Sequence, residues 1–259
     1  MTTIKTIKSW GYQLQDIVPG KIARCGFDLV VIDYCGDDRP FSPEEVEAMR
    51  QRPDGGRRLM LAYMSIGEAE SYRFYWDESW RQRPPSWLGK VNPDWDENYA
   101  VRFWDPQWQT IIFDYADRVV TAGFDGVYLD KVDAFEEKGH KDAMADFVAS
   151  LAARVKSKRA GFLVVSQNGQ QLISNAKFRN AIDAFAREDL FYGEDEDGER
   201  NEADSIRDSL AVLARFAADG KPVLVVEYPR TEEQARSVRR EIAEQGFIGL
   251  VARRDLDTL

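Results

Sequence analysis

The stretch that indicates the fold most clearly is Gly123-Phe124-Asp125-Gly126-Val127-Tyr128-Leu129-Asp130-Lys131-Val132-Asp133. The apolar run from Gly126 to Leu129 has the length of a fully buried strand, and a glycine-bearing turn precedes it while charged residues follow it. Asp130 would therefore stand at the rim of a sheet, where barrel and doubly wound folds place their catalytic residues. The alternative is a solvated aspartate that begins the next loop.

Seven further stretches are short apolar or alternating runs bounded by turn residues, and each predicts a strand. Most are followed by a helical pattern, as at Ser42-Pro43-Glu44-Glu45, which has a Ser cap, a Pro at the first helical position and a Glu at the third. Eight such strands in 259 residues predict an α/β fold, a single (β/α)8 barrel of the TIM type spanning residues 1–259 as one catalytic domain. The predicted strands are 9–15, 28–34, 58–64, 126–129, 161–169, 181–192, 222–229 and 247–252.

The connection after the third strand, from Phe74 to Trp108, is too long and too aromatic for an ordinary βα loop. Loops of this length in a compact domain are usually functional, and sugar rings stack well on aromatic side chains, so a sugar cleft is one interpretation. A satellite core that packs the loop onto the barrel is the other. We expect most of its tryptophans to form such a core and one or two to contact a ligand. The loop contains Trp76, Trp80, Trp87, Trp95, Trp104 and Trp108.

The net charge of −10 argues against nucleic acid or an anionic membrane as a partner, because both attract basic surfaces. It weakly favours cationic substrates, although it can equally serve solubility alone. No apolar run is long enough to span a membrane, and residues 1–5 lack the apolar core of a signal peptide. We therefore expect a cytoplasmic protein, or a secreted or periplasmic one if a leader has been removed. No obligate protein partner is indicated.

The sequence contains only two cysteines and one histidine. Cys25 and Cys35 flank one predicted strand, which would hold their sulfurs too far apart for a disulfide, so free thiols are expected. His140 is the one histidine and lies among charged residues typical of a solvated helix start. GxxxxGK[ST], GxGxxG and CxxC motifs are absent from the sequence, so we predict neither a cofactor nor a metal.

The ends of the predicted strands would meet at one mouth of the barrel, bringing several acids, two amides and nearby aromatic residues together. Such a mouth suits glycoside hydrolysis, which needs one carboxyl to protonate the leaving oxygen and another to attack or to activate water. Two alternatives stay open: a sugar-binding barrel without catalytic activity, and a divalent-metal enzyme using Asp33, Glu68 and Asp130. The residues predicted to contact substrate are Tyr12, Asp33, Tyr34, Glu68, Tyr128, Lys131, Gln167, Asn168, Tyr192, Glu227 and Tyr228.

Four segments carry a more specific combination of motifs. They are Trp10-Gly11-Tyr12-Gln13-Leu14, Ser65-Ile66-Gly67-Glu68-Ala69-Glu70-Ser71-Tyr72-Arg73, Asn98-Tyr99-Ala100-Val101-Arg102-Phe103-Trp104-Asp105-Pro106 and Gly123-Phe124-Asp125-Gly126-Val127-Tyr128-Leu129-Asp130. Together they resemble glycoside hydrolase family 114, the endo-α-1,4-polygalactosaminidase family, over the N-terminal half, and the strand order extends the resemblance through the rest.

This resemblance implies a catalytic pair at the ends of the fourth and sixth barrel strands, which map onto Asp130 and Glu188. Asp130 would be the nucleophile or its electrostatic equivalent, and Glu188 the general acid/base. A slip of one residue would exchange Glu188 for Asp189, and Lys131 departs from the asparagine often found after the first acid. The implied activity is endo-cleavage of an α-1,4-linked, galactosamine-containing polysaccharide or oligosaccharide. A glycosidase for a different linkage is the alternative within this class.

Overall fold

The structure is a computed structural model that describes residues 2–36 and 39–259. Its strands are β1 (Trp10–Gln13), β2 (Leu29–Asp33), β3 (Leu59–Ser65), β4 (Glu68–Glu70), β5 (Leu88–Val91), β6 (Asn98–Val101), β7 (Gly126–Asp130), β8 (Leu163–Gln167), β9 (Ala184–Glu188), β10 (Val223–Glu227) and β11 (Ile248–Val251). Its α-helices are α1 (Pro19–Arg24), α2 (Pro43–Arg50), α3 (Pro106–Thr121), α4 (Phe135–Lys138), α5 (Lys141–Lys158), α6 (Ala176–Ala181), α7 (Ala203–Ala217) and α8 (Glu232–Glu244).

Eight of these strands form one parallel sheet in the order β1-β2-β3-β7-β8-β9-β10-β11, with helices between consecutive strands. The sheet curls into a nearly closed barrel, and the indole N–H of Trp10 in β1 donates to the carbonyl of Ile248 in β11 at 3.0 Å. Beyond the strand ends, Leu14 N–H donates to the carbonyl of Leu256 at 2.8 Å. The prediction of a (β/α)8 barrel of the TIM type is confirmed.

The barrel strands bury both faces, and alternate residues belong to two separate cores. Tyr12, Val31, Tyr63 and Tyr128 belong to the core inside the barrel. Their neighbours in sequence pack between the strands and the helices instead, because successive side chains of a strand point to opposite faces. This alternation determines which residue at each strand end can reach the mouth.

Helix α2 begins as its sequence predicts. The hydroxyl of Ser42 accepts the backbone N–H of Glu45, and the Glu45 carboxylate accepts the backbone N–H of Ser42, which completes a capping box. His140 stands just before α5 and stacks on Trp104 with ring centroids 3.9 Å apart, away from the mouth. Cys25 and Cys35 are free thiols, as expected. The described helices include none that is both long and apolar enough to cross a membrane.

The connection between β3 and α3 contains regular structure that the sequence does not predict. Strands β4, β6 and β5 form a small antiparallel sheet in that order, which we call the insert sheet. Trp87 and Trp108 are buried beneath it, while Trp76, Trp80 and Trp104 pack partly buried against the same core. Trp95, in the turn between β5 and β6, keeps 58% of its surface exposed. Most of the tryptophans therefore serve packing.

Candidate active site

A cavity of about 570 Å³ opens where the carboxyl ends of the barrel strands meet the insert sheet. Its volume lies within the usual range for ligand sites. Seven carboxyl side chains and three cationic side chains line it, so acid is in clear excess. The carboxyls are Asp33, Glu68, Glu70, Asp96, Asp130, Asp133 and Glu188, and the cations are Arg73, Lys131 and Arg254.

The centre of the cavity is a hydrogen-bonded bridge between two carboxyls. The side-chain amide nitrogen of Gln167 donates to Asp130 Oδ1 at 2.9 Å and to Glu188 Oε2 at 3.1 Å. The hydroxyl of Tyr128 donates to the amide oxygen of Gln167, which orients the amide so that its nitrogen faces both acids. The ends of β7, β8 and β9 thereby hold Asp130, Gln167 and Glu188 in one fixed group.

Neutral donors complete the coordination of both carboxyls. Tyr63 donates its hydroxyl to Asp130 Oδ2 at 2.7 Å, and the backbone N–H of Lys131 donates to Asp130 Oδ1 at 2.7 Å. On the other side, Tyr228 donates its hydroxyl to Glu188 Oε1 at 2.6 Å. Burial raises the pKa of Tyr63 and Tyr228 well above that of a free phenol, and the neighbouring carboxylates raise it further. Both hydroxyls therefore stay protonated as donors.

Glu188 holds a proton more tightly than an ordinary glutamate. Burial raises its pKa to about 7, and the negative charge of Asp130 contributes, against the opposing effect of the Tyr228 hydrogen bond. A carboxyl with this pKa can be protonated near neutral pH and can also release its proton there. That property is the one a general acid/base needs.

The neighbouring acid, Asp189, faces elsewhere. Its φ of 53° turns the chain at the end of β9, and both of its carboxylate oxygens accept hydrogen bonds from the guanidinium of Arg254 at 3.0 to 3.1 Å. Asn168 accepts the backbone N–H of Glu188 at 3.1 Å and so helps to hold this strand end. Of the two adjacent acids, Glu188 lines the cavity.

The cavity includes most of the substrate-contacting residues predicted from sequence: Tyr12, Asp33, Glu68, Lys131, Gln167 and Asn168 line it together with the two acids. Tyr128 and Tyr228 do not line the cavity, but they reach the site through Gln167 and Glu188.

The other three predicted contact residues, Tyr34, Tyr192 and Glu227, also lie outside the lining. Tyr34 and Glu227 occupy outward-facing positions of their strands, as the alternation of side chains requires. Tyr34 packs against Tyr115 in the outer core, with ring centroids 5.5 Å apart. Glu227 is fully buried and accepts the backbone N–H groups of Phe191 and Tyr192. Tyr192 itself lies under the guanidinium of Arg200.

The opposite side of the mouth consists of ion pairs. Arg73, whose side chain is only 3% exposed, donates from Nη1 to Asp33 Oδ2 at 2.6 Å and from Nε to Glu70 Oε2 at 2.6 Å. Glu68 accepts side-chain N–H groups of Asn92 at 2.9 Å and of Asn98 at 3.3 Å.

Lys131 also contacts this side, since its Nζ lies 3.3 Å from Glu68 Oε1. Burial opposes the charge of the Lys131 ammonium, but the carboxylates of Glu68, Asp133 and Asp130 outweigh it and raise the pKa. Lys131 therefore carries a positive charge within the cavity at neutral pH.

Sequence reasoning missed Tyr63, Arg73, Asp133 and Arg254 as members of the site. For Tyr63 a signal existed, because it stands two residues before the end of β3 and hence faces inward with Ser65. Asp133 follows Asp130 by three residues, and its position just after a strand end was the available signal. Arg73 and Arg254 reach the mouth from connecting segments, where no periodicity indicates the direction of a side chain.

Residues 2–36 and 39–259 contain no group of three or more His, Cys, Asp or Glu side chains arranged to hold a metal ion. The carboxyls that could have formed one are occupied differently. Asp33 is paired with Arg73, and Glu68 with two amides and Lys131.

Comparison with known proteins places this geometry in a family. The model of glycoside hydrolase family GH114 matches residues 2–259. The chain belongs to glycoside hydrolase family 114. As a GH114 protein it is a glycosidase with a carbohydrate substrate, and the resemblance inferred from its motifs is confirmed.

Proteins similar in sequence occur in other organisms. The GH114 chain is 38% identical to an uncharacterized protein of Methanocaldococcus jannaschii over 96% of its own length and 77% of the relative's. It is 37% identical to an uncharacterized protein of Thermotoga maritima, over 85% and 70% of the two lengths.

Among solved structures, the glycoside hydrolase domain of PelA from Pseudomonas aeruginosa superimposes with a TM-score of 0.77 at 18% identity, covering 98% of this chain and 97% of that one. Ega3 of Aspergillus fumigatus, solved in complex with galactosamine, gives a TM-score of 0.72 at 17% identity, covering 97% and 93%. These similarities establish a shared barrel fold.

Proposed function

We propose that the protein is an endo-acting glycosidase that cleaves α-1,4-linked, galactosamine-containing polysaccharide with retention of anomeric configuration. Asp130 is the nucleophile and Glu188 the general acid/base. The observation that carries this proposal is the single amide nitrogen of Gln167 that contacts both carboxyls.

The shared nitrogen limits how far apart the two carboxyls can stand. Because Asp130 Oδ1 lies 2.9 Å and Glu188 Oε2 lies 3.1 Å from it, these oxygens are at most about 6 Å apart. Retaining glycosidases place their carboxyls about 5–5.5 Å apart, whereas inverting enzymes need about 6.5–9.5 Å to admit a water molecule. The bridge therefore supports direct attack by a carboxylate.

In the proposed reaction the two acids act in two successive steps. Protonated Glu188 donates its proton to the glycosidic oxygen as the bond from the anomeric carbon to that oxygen breaks. An oxygen of Asp130 forms a bond to the same carbon, giving a covalent glycosyl-enzyme and a free sugar hydroxyl on the leaving chain. Glu188, now ionised, removes a proton from water, whose oxygen displaces Asp130 and restores both groups.

The preference for an amino sugar rests on charge and on the structural neighbour. The excess of carboxyls over cations in the cavity favours a cationic substrate. The chain as a whole is also negative, with a net charge of −10. Ega3, which shares the fold, was solved with galactosamine. Endo-action is supported by the rim, where Trp95 and Tyr72 leave 58% and 57% of their surfaces exposed beside the cavity and offer stacking faces to further sugar units.

The test uses partially de-N-acetylated α-1,4-linked galactosamine polymer and measures newly formed reducing ends. Asp130→Asn and Glu188→Gln should each reduce the rate by at least about 1,000-fold, since each removes a group that reacts. Asp195→Asn, which removes an exposed carboxyl that does not line the cavity, is the matched control and should change the rate by less than about twofold.

Azide supplies a second readout, because a small anion can replace a missing carboxylate. In Asp130→Gly, added azide should yield a glycosyl azide of inverted configuration, while wild-type product analysed by NMR should initially be the α-anomer. Undiminished cleavage by both carboxyl variants would overturn the site assignment. An initial β-anomer from the wild type would overturn retention, and sugar binding without cleavage by the wild type would favour a sugar-binding barrel.

A further inference from the structure

Six of the seven carboxyls in the cavity already have a task or lie at its edge. Asp33 and Glu70 share the guanidinium of Arg73, Glu68 accepts two amides and pairs with Lys131, and Asp96 is exposed on the turn of the insert sheet. Asp130 and Glu188 form the proposed catalytic pair. The remaining acid is Asp133.

Asp133 is partly buried, and within the part of the chain that the structure describes its carboxyl has no hydrogen bond or ion pair with another residue. It lines the main cavity and also a side cavity of about 110 Å³ that adjoins Lys131. Two cations, Lys131 and Lys138, line the side cavity with Asp133, but Lys131 pairs with Glu68 and neither forms an ion pair with Asp133. A partly desolvated carboxylate gains from an opposite charge, and Asp133 faces the cavity where the ammonium group of a ligand can supply one.

The backbone holds Asp133 in a defined position. It lies in a short 3-10 turn, Val132–Ala134, which the chain enters through Lys131 at a φ of 54°. A Cβ at Gly67 would stand 2.2 Å from the carbonyl oxygen of Lys131, and one at Gly169 would stand 3.4 Å from the backbone nitrogen of Asp133. The turn is thus packed between two glycines, and its carboxyl is presented to the cavity without rearrangement.

The position relative to Asp130 indicates which part of the substrate it meets. Asp130 and Asp133 are three residues apart, and the charge of Asp130 adds to burial in raising the pKa of Asp133 to about 6. Asp130 attacks the anomeric carbon, and the nitrogen of a 2-amino sugar is attached to the adjacent carbon. A carboxyl beside the nucleophile can therefore reach this nitrogen on the same sugar.

We propose that Asp133 is the specificity-determining residue that binds the 2-ammonium group of the sugar attacked by Asp130 and so selects de-N-acetylated units. This inference rests on the proposed function. An N-acetylated unit carries a neutral, bulkier group there, which would leave the carboxylate unpaired against an acetyl methyl.

Binding of galactosamine, galactose and N-acetylgalactosamine to the wild type and to Asp133→Asn tests the inference without requiring cleavage. Asparagine keeps the shape and removes the charge. We expect galactosamine to bind about 10- to 100-fold more weakly to the variant at pH 7, the range for a charge-assisted hydrogen bond, while galactose changes less than threefold. Asp142→Asn, which removes an exposed acid at the start of α5 outside both cavities, should leave all three affinities within twofold.

Cleavage of defined α-1,4 oligomers separates failure of this inference from failure of the proposed function. Asp133→Asn should lower kcat/KM for galactosamine oligomers. It should also reduce the ratio of kcat/KM for galactosamine oligomers to kcat/KM for N-acetylated oligomers by about 10- to 100-fold. Equal losses on both substrates, or equal weakening of galactosamine and galactose, would overturn the role of Asp133 and leave the catalytic pair intact. Absence of cleavage by the wild type would instead refute the proposed activity, while the binding result would still decide on Asp133.

Discussion

The two sides of the mouth use the same type of side chain in opposite ways. On the side formed by β7, β8 and β9, the carboxyls of Asp130 and Glu188 are held by neutral donors, namely an amide, two phenols and a backbone N–H. On the side of the insert sheet, the carboxyls of Asp33 and Glu70 are held by the guanidinium of Arg73.

The difference shows what prepares a buried carboxyl for chemistry. A guanidinium never gives up its proton and carries a charge opposite to that of its partners, so Arg73 offsets part of the charge of Asp33 and Glu70 and holds them in a structural role. Neutral donors orient Asp130 and Glu188 without supplying a counter-charge, so the charge of Asp130 still contributes to the raised pKa of Glu188. Four substitutions test this contrast.

The largest effect is expected for Arg73→Met, which leaves Asp33 and Glu70 buried without their counter-ion. Removing one partner from a buried ion pair typically costs about 3–5 kcal/mol of unfolding free energy. Arg81→Met is the matched control in the same segment, because the Arg81–Glu78 pair is exposed and should contribute less than about 1 kcal/mol. Urea unfolding measures the unfolding free energy of both variants. Equal losses of unfolding free energy would refute the structural role assigned to the Arg73 guanidinium.

Gln167→Leu should come next. It removes the donor common to the two proposed catalytic acids while keeping the approximate volume of the side chain. Losing a preorganised donor in an active site reduces kcat by about 100-fold or more, and we expect KM to change less than threefold. Gln171→Leu, at an exposed position after the same strand, should keep wild-type kinetics. An unchanged kcat in Gln167→Leu would show that the bridge does not position the acids.

A smaller effect, in a defined direction, is expected on the pH dependence of kcat/KM. Because Glu188 in its proposed role as general acid must be protonated, and burial raises its pKa to about 7, kcat/KM of the wild type should fall as the pH rises through about 7. The Tyr228 hydroxyl stabilises the ionised form and lowers this pKa, so Tyr228→Phe should move the basic limb to higher pH by about one unit. A shift to lower pH would contradict the hydrogen-bond assignment.

Trp95→Ala should have the smallest effect, restricted to long substrates. Loss of one stacking face at the rim should raise KM for polymer by about tenfold and leave the cleavage of short oligomers unchanged. Val91→Ala removes an exposed apolar side chain from the same insert sheet without touching the cavity and serves as the control. Equal effects of Trp95→Ala on short and long substrates would argue against a distal sugar contact.

The barrel was predictable because each strand carries its own signal. A buried apolar run that ends in a polar residue is local, and eight of them specify the arrangement of the mouth. The same reasoning predicted Tyr34 and Glu227 as mouth residues from their proximity to a strand end, whereas the alternation of faces directs both side chains outward.

The insert sheet was not predictable from local pattern. Its strands are three or four residues long, too short for a clear period, and β4 pairs with β6 about thirty positions later in the chain. The bridge through Gln167 was equally hidden. An amide at a strand end predicts some polar contact, but only the curvature of the barrel brings its nitrogen between two acids on neighbouring strands.

The separate hydrogen bonding of the insert sheet has an evolutionary consequence. In the described chain β4, β5 and β6 pair among themselves and share no ladder with the barrel strands. Insertions or exchanges within this segment can therefore reshape one wall of the cleft while the register of β7, β8 and β9 stays unchanged. Related chains can thereby vary this wall without moving Asp130, Gln167 or Glu188.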